Sequence, residues 1–387
     1  MKILHTCLAC FYIDNYGYQE NVLPKMHKKQ GHEVEILAST ETYLNGNIMS
    51  YLEPSKYFNE DSIKVTRIGY VKIINHFISR KLRLYNGIGK KLNEFKPDII
   101  FLHDIQFLGI FKIIKYLKKN PNVIVYADGH ADVTNSGTNL LSKYILHGFI
   151  YKICANKIDK YVERFYGTLP CRVDFFKHFY GVSNDKVELL VMGVDDDLIQ
   201  FDKEKNKEEL FFKNNICNDD FVIVSGGKIN EKKNVHHLIN AVVELNNAKL
   251  KLILFGVLDK EVERLVKNNL NHKSIIFLGW LNNVDIHKYL AVADLCVFPG
   301  KHSVLWEQSA GIGIPGMYKK IKGHDHIDLG GNCILLDHGD KMEIIKYLTK
   351  ILNDKKFYTE MLNNAHSKGK TAFSYYDIAK RSINNKQ

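Results

Sequence analysis

Long hydrophobic runs are missing from this chain of 387 residues. No stretch of about 18 uninterrupted apolar residues occurs, the length at which a membrane-spanning helix becomes the reading. The most apolar long segment, 140–158, is interrupted by Lys143, His147, Lys152 and Lys157. The opening Met1-Lys2-Ile3-Leu4-His5 is too short and too polar for a secretory signal, and it runs directly into a predicted strand. The expected location is cytoplasmic, with the inner face of a membrane as the alternative.

Patterned cysteine is missing too. Cys7, Cys10, Cys154, Cys171, Cys217, Cys296 and Cys333 are odd in number and dispersed, which suits reduced thiols rather than a disulfide framework. Cys7 and Cys10 form a C-x-x-C, but no second pair follows at zinc-ribbon spacing, so no metal is expected there. There is no G-x-G-x-x-G, which removes the nicotinamide and flavin fingerprint, and no G-K-[ST] phosphate loop. Internal repeats and low-complexity tracts are absent as well.

Charge of one sign is in excess. There are 54 Lys and Arg against 43 Asp and Glu, a net charge of +11. Such a balance favours anionic partners such as nucleic acid, an anionic membrane or phosphorylated ligands; the plainer alternative is a solvated basic surface. The lysines are spread along the chain and no basic face interleaved with aromatics is evident, so nucleic acid is not an expected partner. Residues 78–96 carry Arg80, Lys81, Arg83, Lys90 and Lys91 among Leu82, Leu84 and Ile88. They read as a surface helix, with peripheral contact to an anionic membrane as the alternative.

Short apolar runs alternate with longer amphipathic segments almost throughout. Strands are predicted at 3–8, 33–38, 98–102 and 123–127, with helices at 18–30, 105–119, 140–156 and 172–179. After a polar interval at 195–219, strands are predicted at 221–225, 250–255, 274–278 and 295–298, with helices at 235–244, 260–268 and 286–293. This is the signature of parallel sheets with crossover helices, an α/β class. The polar interval marks a boundary, which gives domains 1–195 and 196–370, with 371–387 as a terminal helix returning to the first.

In such sheets ligands bind outside the carboxyl ends of strands. Four turns there carry chemistry. The first, Asn15-Tyr16-Gly17-Tyr18-Gln19-Glu20, enters a helix, whose N-terminus favours an anion; a structural turn glycine is an equal reading. The second, Gly226-Gly227-Lys228-Ile229-Asn230-Glu231-Lys232-Lys233-Asn234, joins two glycines to three lysines, which suits a diphosphate; a solvated lysine loop is the plainer alternative. The third runs from Pro299 through Gly300, Lys301, His302, Ser303, Val304 and Leu305 into a short helix with Glu307 near its start, where a carboxylate can accept from the vicinal hydroxyls of a ribose; on that segment alone a surface glutamate is the commoner reading. The fourth, Asp128-Gly129-His130, sets a histidine beyond a buried strand; a structural histidine is as good a reading on that segment alone.

Taken in order, these segments resemble the GT-B glycosyltransferases over nearly the whole chain, and within them the retaining glycosyltransferase family 4. The resemblance rests on Gly17-Tyr18-Gln19-Glu20 with Gly31-His32-Glu33-Val34, on Tyr180-Gly181-Val182 with Met192-Gly193-Val194-Asp195, on Gly227-Lys228 with Lys233-Asn234, and on Trp306-Glu307-Gln308-Ser309-Ala310-Gly311 with Pro315. It implies two Rossmann-like domains facing a central cleft. It also implies transfer of a sugar from a nucleoside diphosphate sugar to a glycan or lipid-linked acceptor hydroxyl, with no metal or other cofactor. Lys228 and Lys233 match the cations that hold the donor diphosphate, Glu307 the ribose ligand and His130 the histidine at the reaction centre. Gly17, Tyr18, Gly227, His302, Ser303, Val304, Leu305 and Ser309 complete the implied donor site.

The chain departs from that pattern in three places. Pro299 stands eight positions before Glu307, where the family usually has a second glutamate. Lys228 replaces the commoner arginine, a point charge in place of a fork. The spacing from Glu307 to Pro315 is one residue longer than usual. A nucleotide-sugar epimerase of the same shape and a catalytically inactive sugar-binding scaffold are the rival readings.

Overall fold

The computed structural model describes residues 1–44, 48–132, 141–200 and 203–383. It divides into two compact units, Met1–Val191 with Ile378–Gln387, and Met192–Asp377. Residue 140, the predicted start of one helix, and the last four residues of the predicted 371–387 segment lie outside the described residues.

In the first unit β1 (Lys2–Cys7), β2 (Glu33–Ser39), β3 (Glu41–Leu44), β4 (Ile48–Tyr51), β5 (Ser55–Phe58), β6 (Lys64–Ile68), β7 (Ile99–His103), β8 (Ile124–Gly129), β9 (Val162–Gly167) and β10 (Val187–Leu189) follow in chain order. Eight of them form one sheet in the order β10-β9-β8-β7-β1-β2-β6-β5, and β3 and β4 form a separate hairpin. All neighbours in the large sheet are parallel except the edge pair β5–β6. The central strands are apolar along almost their whole length because helices cover both faces. Leu4, Ile100, Leu102, Val125 and Phe165 are wholly buried in one core there. The winding direction reverses between β1 and β7, which opens a crevice at their carboxyl ends.

In the second unit β11 (Phe221–Ile229), β12 (Leu250–Leu258), β13 (Ile275–Phe277), β14 (Leu295–Phe298), β15 (Gly316–Lys319) and β16 (Cys333–Leu336) form an all-parallel sheet. Its order is β13-β12-β11-β14-β15-β16, the doubly wound Rossmann order, with its switch point between β11 and β14. Ile223, Leu252, Leu254, Leu295 and Val297 carry its core.

Several predicted boundaries shift for identifiable reasons. The turn predicted to begin at Gly226 begins after Ile229, because β11 stays paired with β12 through Gly226↔Phe255, Gly227↔Gly256 and Lys228↔Val257. Gly227 and Gly256 both have positive φ (101° and 112°), and a Cβ on Gly256 would lie 1.9 Å from the Gly227 oxygen, so only glycine permits that pairing. The polar interval 195–219 contains a helix, Lys203–Lys213, anchored by buried Phe211 and by Asn206 Nδ2 donating to the Lys288 carbonyl at 3.1 Å. The surface helix read over 78–96 is two helices, His76–Lys81 and Ile88–Phe95. Left-handed Arg83 (φ 50°) and Gly87 (φ 99°) separate them, and Lys91 is buried against Glu35 and Thr66. The helix predicted at 172–179 is α-helical over Pro170–Asp174 and π-helical over Phe175–Tyr180, which buries Phe175, Phe176 and Tyr180 together.

Candidate functional site

In the second unit the turn after β11 and the loop after β14 are tied into one structure at the switch point. Lys233 Nζ donates to the carbonyls of Lys301 (2.8 Å) and His302 (2.7 Å). The Lys301 N–H returns a bond to the Lys232 carbonyl at 2.9 Å. Asn234, left-handed at φ 56°, donates from Nδ2 to the Pro299 carbonyl at 3.2 Å. Gly300 permits this approach, since a Cβ there would lie 2.3 Å from the Lys233 carbonyl carbon. Lys233 therefore braces the loop with two of its three N–H bonds. Burial, and then Lys301, push its pKa down to about 8. Lys228, Lys232 and Lys301 are exposed along the same edge.

The loop feeds the helix Leu305–Ile312, whose positive end starts at Ser303, Val304 and Leu305. A Cβ on Gly227 would lie 3.4 Å from Leu305 Cδ1, so the end of β11 packs against the first turn of this helix. All eight helix residues are buried. Ser309, implied as a donor contact, faces the core: its hydroxyl donates to the Trp306 carbonyl at 2.9 Å and lies 2.9 Å from Tyr318 Oη.

Glu307 is a buried carboxylate held between two histidines. His302 Nε2 and His326 Nε2 each lie 2.8 Å from its Oε1. Burial opposes its charge, but His302 and then His326 outweigh burial and hold the carboxyl at about 2. Glu307 is therefore an anion, and both imidazoles donate through Nε2–H. Its Oε2 is buried without a hydrogen-bond partner, as is His326 Nδ1. His302, Glu307 and His326 bring their ligand atoms within 4.8 Å of one another, as a divalent cation would require. The arrangement is already a hydrogen-bonded triad, however, and a cation would have to displace both N–H protons. His326 lies on the 3-10 turn Asp325–Ile327, well outside the sequence segment that drew attention.

In the first unit the carboxyl edge gathers residues from four elements. Gly17 and Tyr18 precede the helix Gln19–Lys29, and the Tyr18 carbonyl accepts from the N–H groups of Asn21 and Val22. The left-handed residue of that turn is Asn15 (φ 64°), not Gly17. Gln19 Nε2 reaches Asp128 Oδ2 at 2.8 Å. Asp104, directly after β7, is left-handed at φ 63°, a conformation aspartate tolerates better than most residues. Its N–H donates to Asp128 Oδ1 (3.2 Å), and its own Oδ1 accepts from the His130 N–H (3.0 Å). His130 Nε2 lies 3.6 Å from Asp128 Oδ1. Burial pulls the His130 pKa down, but Asp128 and then Glu20 lift it above the ordinary histidine value. Cys10 is pushed well up by burial and by its bond to Cys7, the reverse of a reactive thiolate.

Two doubly wound units, each with polar groups at its own switch point, define the GT-B class. Comparison with known proteins points the same way. The model described as glycosyl transferases group 1 matches residues 206–368. Over 375 residues the chain is 25% identical to an uncharacterized glycosyltransferase of Methanocaldococcus jannaschii, covering 92% of this chain and 90% of that protein. It is 26% identical to the capsular polysaccharide biosynthesis glycosyltransferase CapM of Staphylococcus aureus over 51% of this chain and 55% of that one. The structure of Anabaena HepE in complex with UDP aligns with a TM-score of 0.68 at 14% identity, covering 98% of both chains. The chain has the GT-B fold, and its residues 206–368 match the group 1 glycosyl transferases. Among the described residues no helix is long and apolar enough to cross a membrane.

Proposed function

We propose that the chain is a retaining enzyme that transfers a sugar from a nucleoside diphosphate sugar to an acceptor hydroxyl in glycan or surface-polysaccharide synthesis, without a bound metal. The observation that carries this reading is the meeting of exposed Lys228, Lys232 and Lys301, a helix N-terminus and the buried Glu307 anion at one sheet switch point. As the glycosidic bond breaks, negative charge grows on the leaving diphosphate. Lys228, the remaining N–H of Lys233 and the amides at Ser303–Leu305 are placed to stabilise it. Glu307 accepts from the donor ribose through Oε2, and because that oxygen is shielded here, donor entry moves the covering side chains aside. His130 serves the reaction centre from the first unit. No carboxylate nucleophile is evident in the sequence, which favours a same-face displacement.

The capsular polysaccharide role of the Staphylococcus aureus relative supports a surface-glycan acceptor. The first unit supports a lipid-linked one: Ile73 is 97% and Phe77 62% exposed, next to exposed Lys72 and Lys81, a surface suited to peripheral contact with an anionic membrane. A thermal-shift panel of UDP, GDP, ADP and CMP, with and without EDTA, tests the donor site on wild type and Lys228→Ala. One nucleotide is expected to stabilise the wild type, EDTA to change nothing, and the variant to lose most of the shift. NMR of the product then reads the anomeric configuration. An inverted product defeats retention, and turnover of donor with no acceptor present points to an epimerase.

A further inference from the structure

His5, His27 and His103 are wholly buried in the first unit, and the proposed reaction uses none of them directly. With Asp128 they form one continuous line. His27 sits on the helix Gln19–Lys29, His5 on β1, His103 on β7 and Asp128 on β8. The line begins at the C-terminal helix Tyr375–Ile383 and ends beside His130.

The two ends fix every hydrogen along it. The Ala379 carbonyl has no proton to give, so His27 Nε2, at 3.1 Å, carries a hydrogen. Ser382 cannot supply one, because its hydroxyl already donates to the Ala379 carbonyl at 2.8 Å. The Ser382 oxygen therefore accepts from the same His27 N–H at 3.0 Å. At the other end Asp128 accepts from the Gln19 amide (2.8 Å) and the Asp104 N–H (3.2 Å), the surroundings of a carboxylate. His103 Nδ1, 2.7 Å from Asp128 Oδ2, therefore carries a hydrogen too. Between the ends are two nitrogen–nitrogen contacts, His27 Nδ1 to His5 Nε2 and His5 Nδ1 to His103 Nε2, each 3.0 Å and each holding one hydrogen. That makes four hydrogens on three rings, whereas three neutral imidazoles hold three, so one ring is an imidazolium. A buried charge is tolerated only beside its counter-charge, which puts the extra proton on His103, against Asp128.

We propose that His103 is held as an imidazolium by this line and acts as a positioning residue for the reaction centre, fixing Asp128 and, with Asp104, the orientation of His130. The Ala379 carbonyl of the C-terminal helix sets the tautomers of His27 and His5, and through them the register of the proton. The direction of each group's titration agrees. Burial and His27 hold His5 well down, and burial holds His27 down to about 3. Burial opposes the charge on His103, but Asp128 and then Cys7 raise it to about 10. The other titratable groups facing the line are Glu20, His32, Arg83, Asp104 and His130. The kinetic consequence rests on the reading of His130 above; the protonation pattern does not.

Two measurements on the full chain separate these levels. Long-range nitrogen–proton NMR of ring-labelled wild type, assigned by the signals that vanish in His103→Asn, reads the tautomers directly. Two neutral Nε2–H imidazoles and one imidazolium that does not titrate between about pH 6 and 8.5 are expected. Three neutral rings, or a His103 that titrates in that window, overturn the assignment even if no activity is ever found. With turnover established, His103→Asn is expected to lower kcat about a hundredfold, the scale of a roughly 1 Å misplacement at a reacting group, with donor KM nearly unchanged and a displaced pH profile. A variant that folds and keeps both kcat and pH profile overturns the positioning role while leaving the transferase reading intact.

Discussion

The two units share a sheet plan yet assemble their polar groups in opposite ways. In the second, Lys228, Lys232, Lys233, Lys301, His302 and Glu307 come from the end of β11, two loops and the helix that follows, and Lys228, Lys232 and Lys301 stay exposed. In the first, His5, His27, His103, Asp128 and Ser382 come from five separate elements and are wholly buried. One arrangement leaves lysine charge exposed at its sheet edge, as an anionic ligand would require. The other compensates its own charge inside the sheet and presents a single partly exposed histidine, His130. On the proposed reading binding strength and chemical competence belong to different units, and substitutions can separate them.

The largest expected effect comes from His130→Ala. If chemistry resides in the first unit, kcat falls by about 10²–10⁴, the usual worth of a positioned acid–base group, while the thermal shift by nucleotide is retained. A parallel loss of nucleotide binding would place His130 in the donor site and erase the contrast.

Next in size is His326→Ala. His326 supplies one of two N–H donors to Glu307 Oε1. Hydrogen bonds to charged groups contribute about 1.5–3 kcal/mol, so loosening the carboxylate should weaken nucleoside diphosphate binding about tenfold or more. Calorimetry with the nucleotide and its 2′- and 3′-deoxy forms sharpens the point. The variant should bind all of them alike, and His326→Gln should recover part of the preference for ribose. Equal discrimination in wild type and variant would remove Glu307 from ribose recognition.

A smaller effect is on the pH dependence of stability. His27 titrates near 6.5 when unfolded but is held by burial down to about 3 in the fold. Between those values the unfolded chain binds more protons, so stability falls as pH drops below about 6.5. His103, raised to about 10 by Asp128 against burial, binds its proton more tightly when folded, and its contribution is lost as pH rises from 6.5 towards 10. Together they put a maximum of stability near pH 6.5. Tm measured from about pH 4 to 10 should show both limbs in wild type and only the acid limb in His103→Asn.

The contrast between the units also governs what could be read from the sequence. The alternation of apolar runs made both sheets legible, since buried parallel strands leave a local signature. The Gly227–Asn234 and Pro299–Glu307 segments drew notice because each gathers its glycines and polar residues within a few positions at a strand end, although the contacts between them, such as Lys233 to Lys301 and His302, are long-range. The burial of the Ser309 side chain was not legible, because every residue of its helix is buried and no polar face marks what points outward. The extension of β11 through Gly226-Gly227-Lys228 was hidden because it depends on a second glycine, Gly256, in another strand. His130 drew attention through its place after a strand, but its neighbours Asp104, Asp128 and His103 meet only through strand pairing. His326 and Ser382 gave no signal, since nothing near them in sequence resembles a site.

The smallest expected effect is the most discriminating for the buried line. Ser382→Ala removes the hydroxyl that donates to the Ala379 carbonyl and accepts from His27, yet leaves that carbonyl 3.1 Å from His27 Nε2. If the carbonyl sets the tautomers, His27 keeps its Nε2–H, His5 follows and the imidazolium stays on His103. The cost is then about 1 kcal/mol, the net worth of an ordinary hydrogen bond. Stability should drop slightly, the ring-nitrogen pattern should persist, and kcat should hardly move. If the pattern instead inverts, so that His27 becomes protonated on Nδ1 alone, the hydroxyl was the anchor. The order of protons along β1 and β7 would then depend on a single serine of the C-terminal helix, and the first unit would be as locally determined as the second.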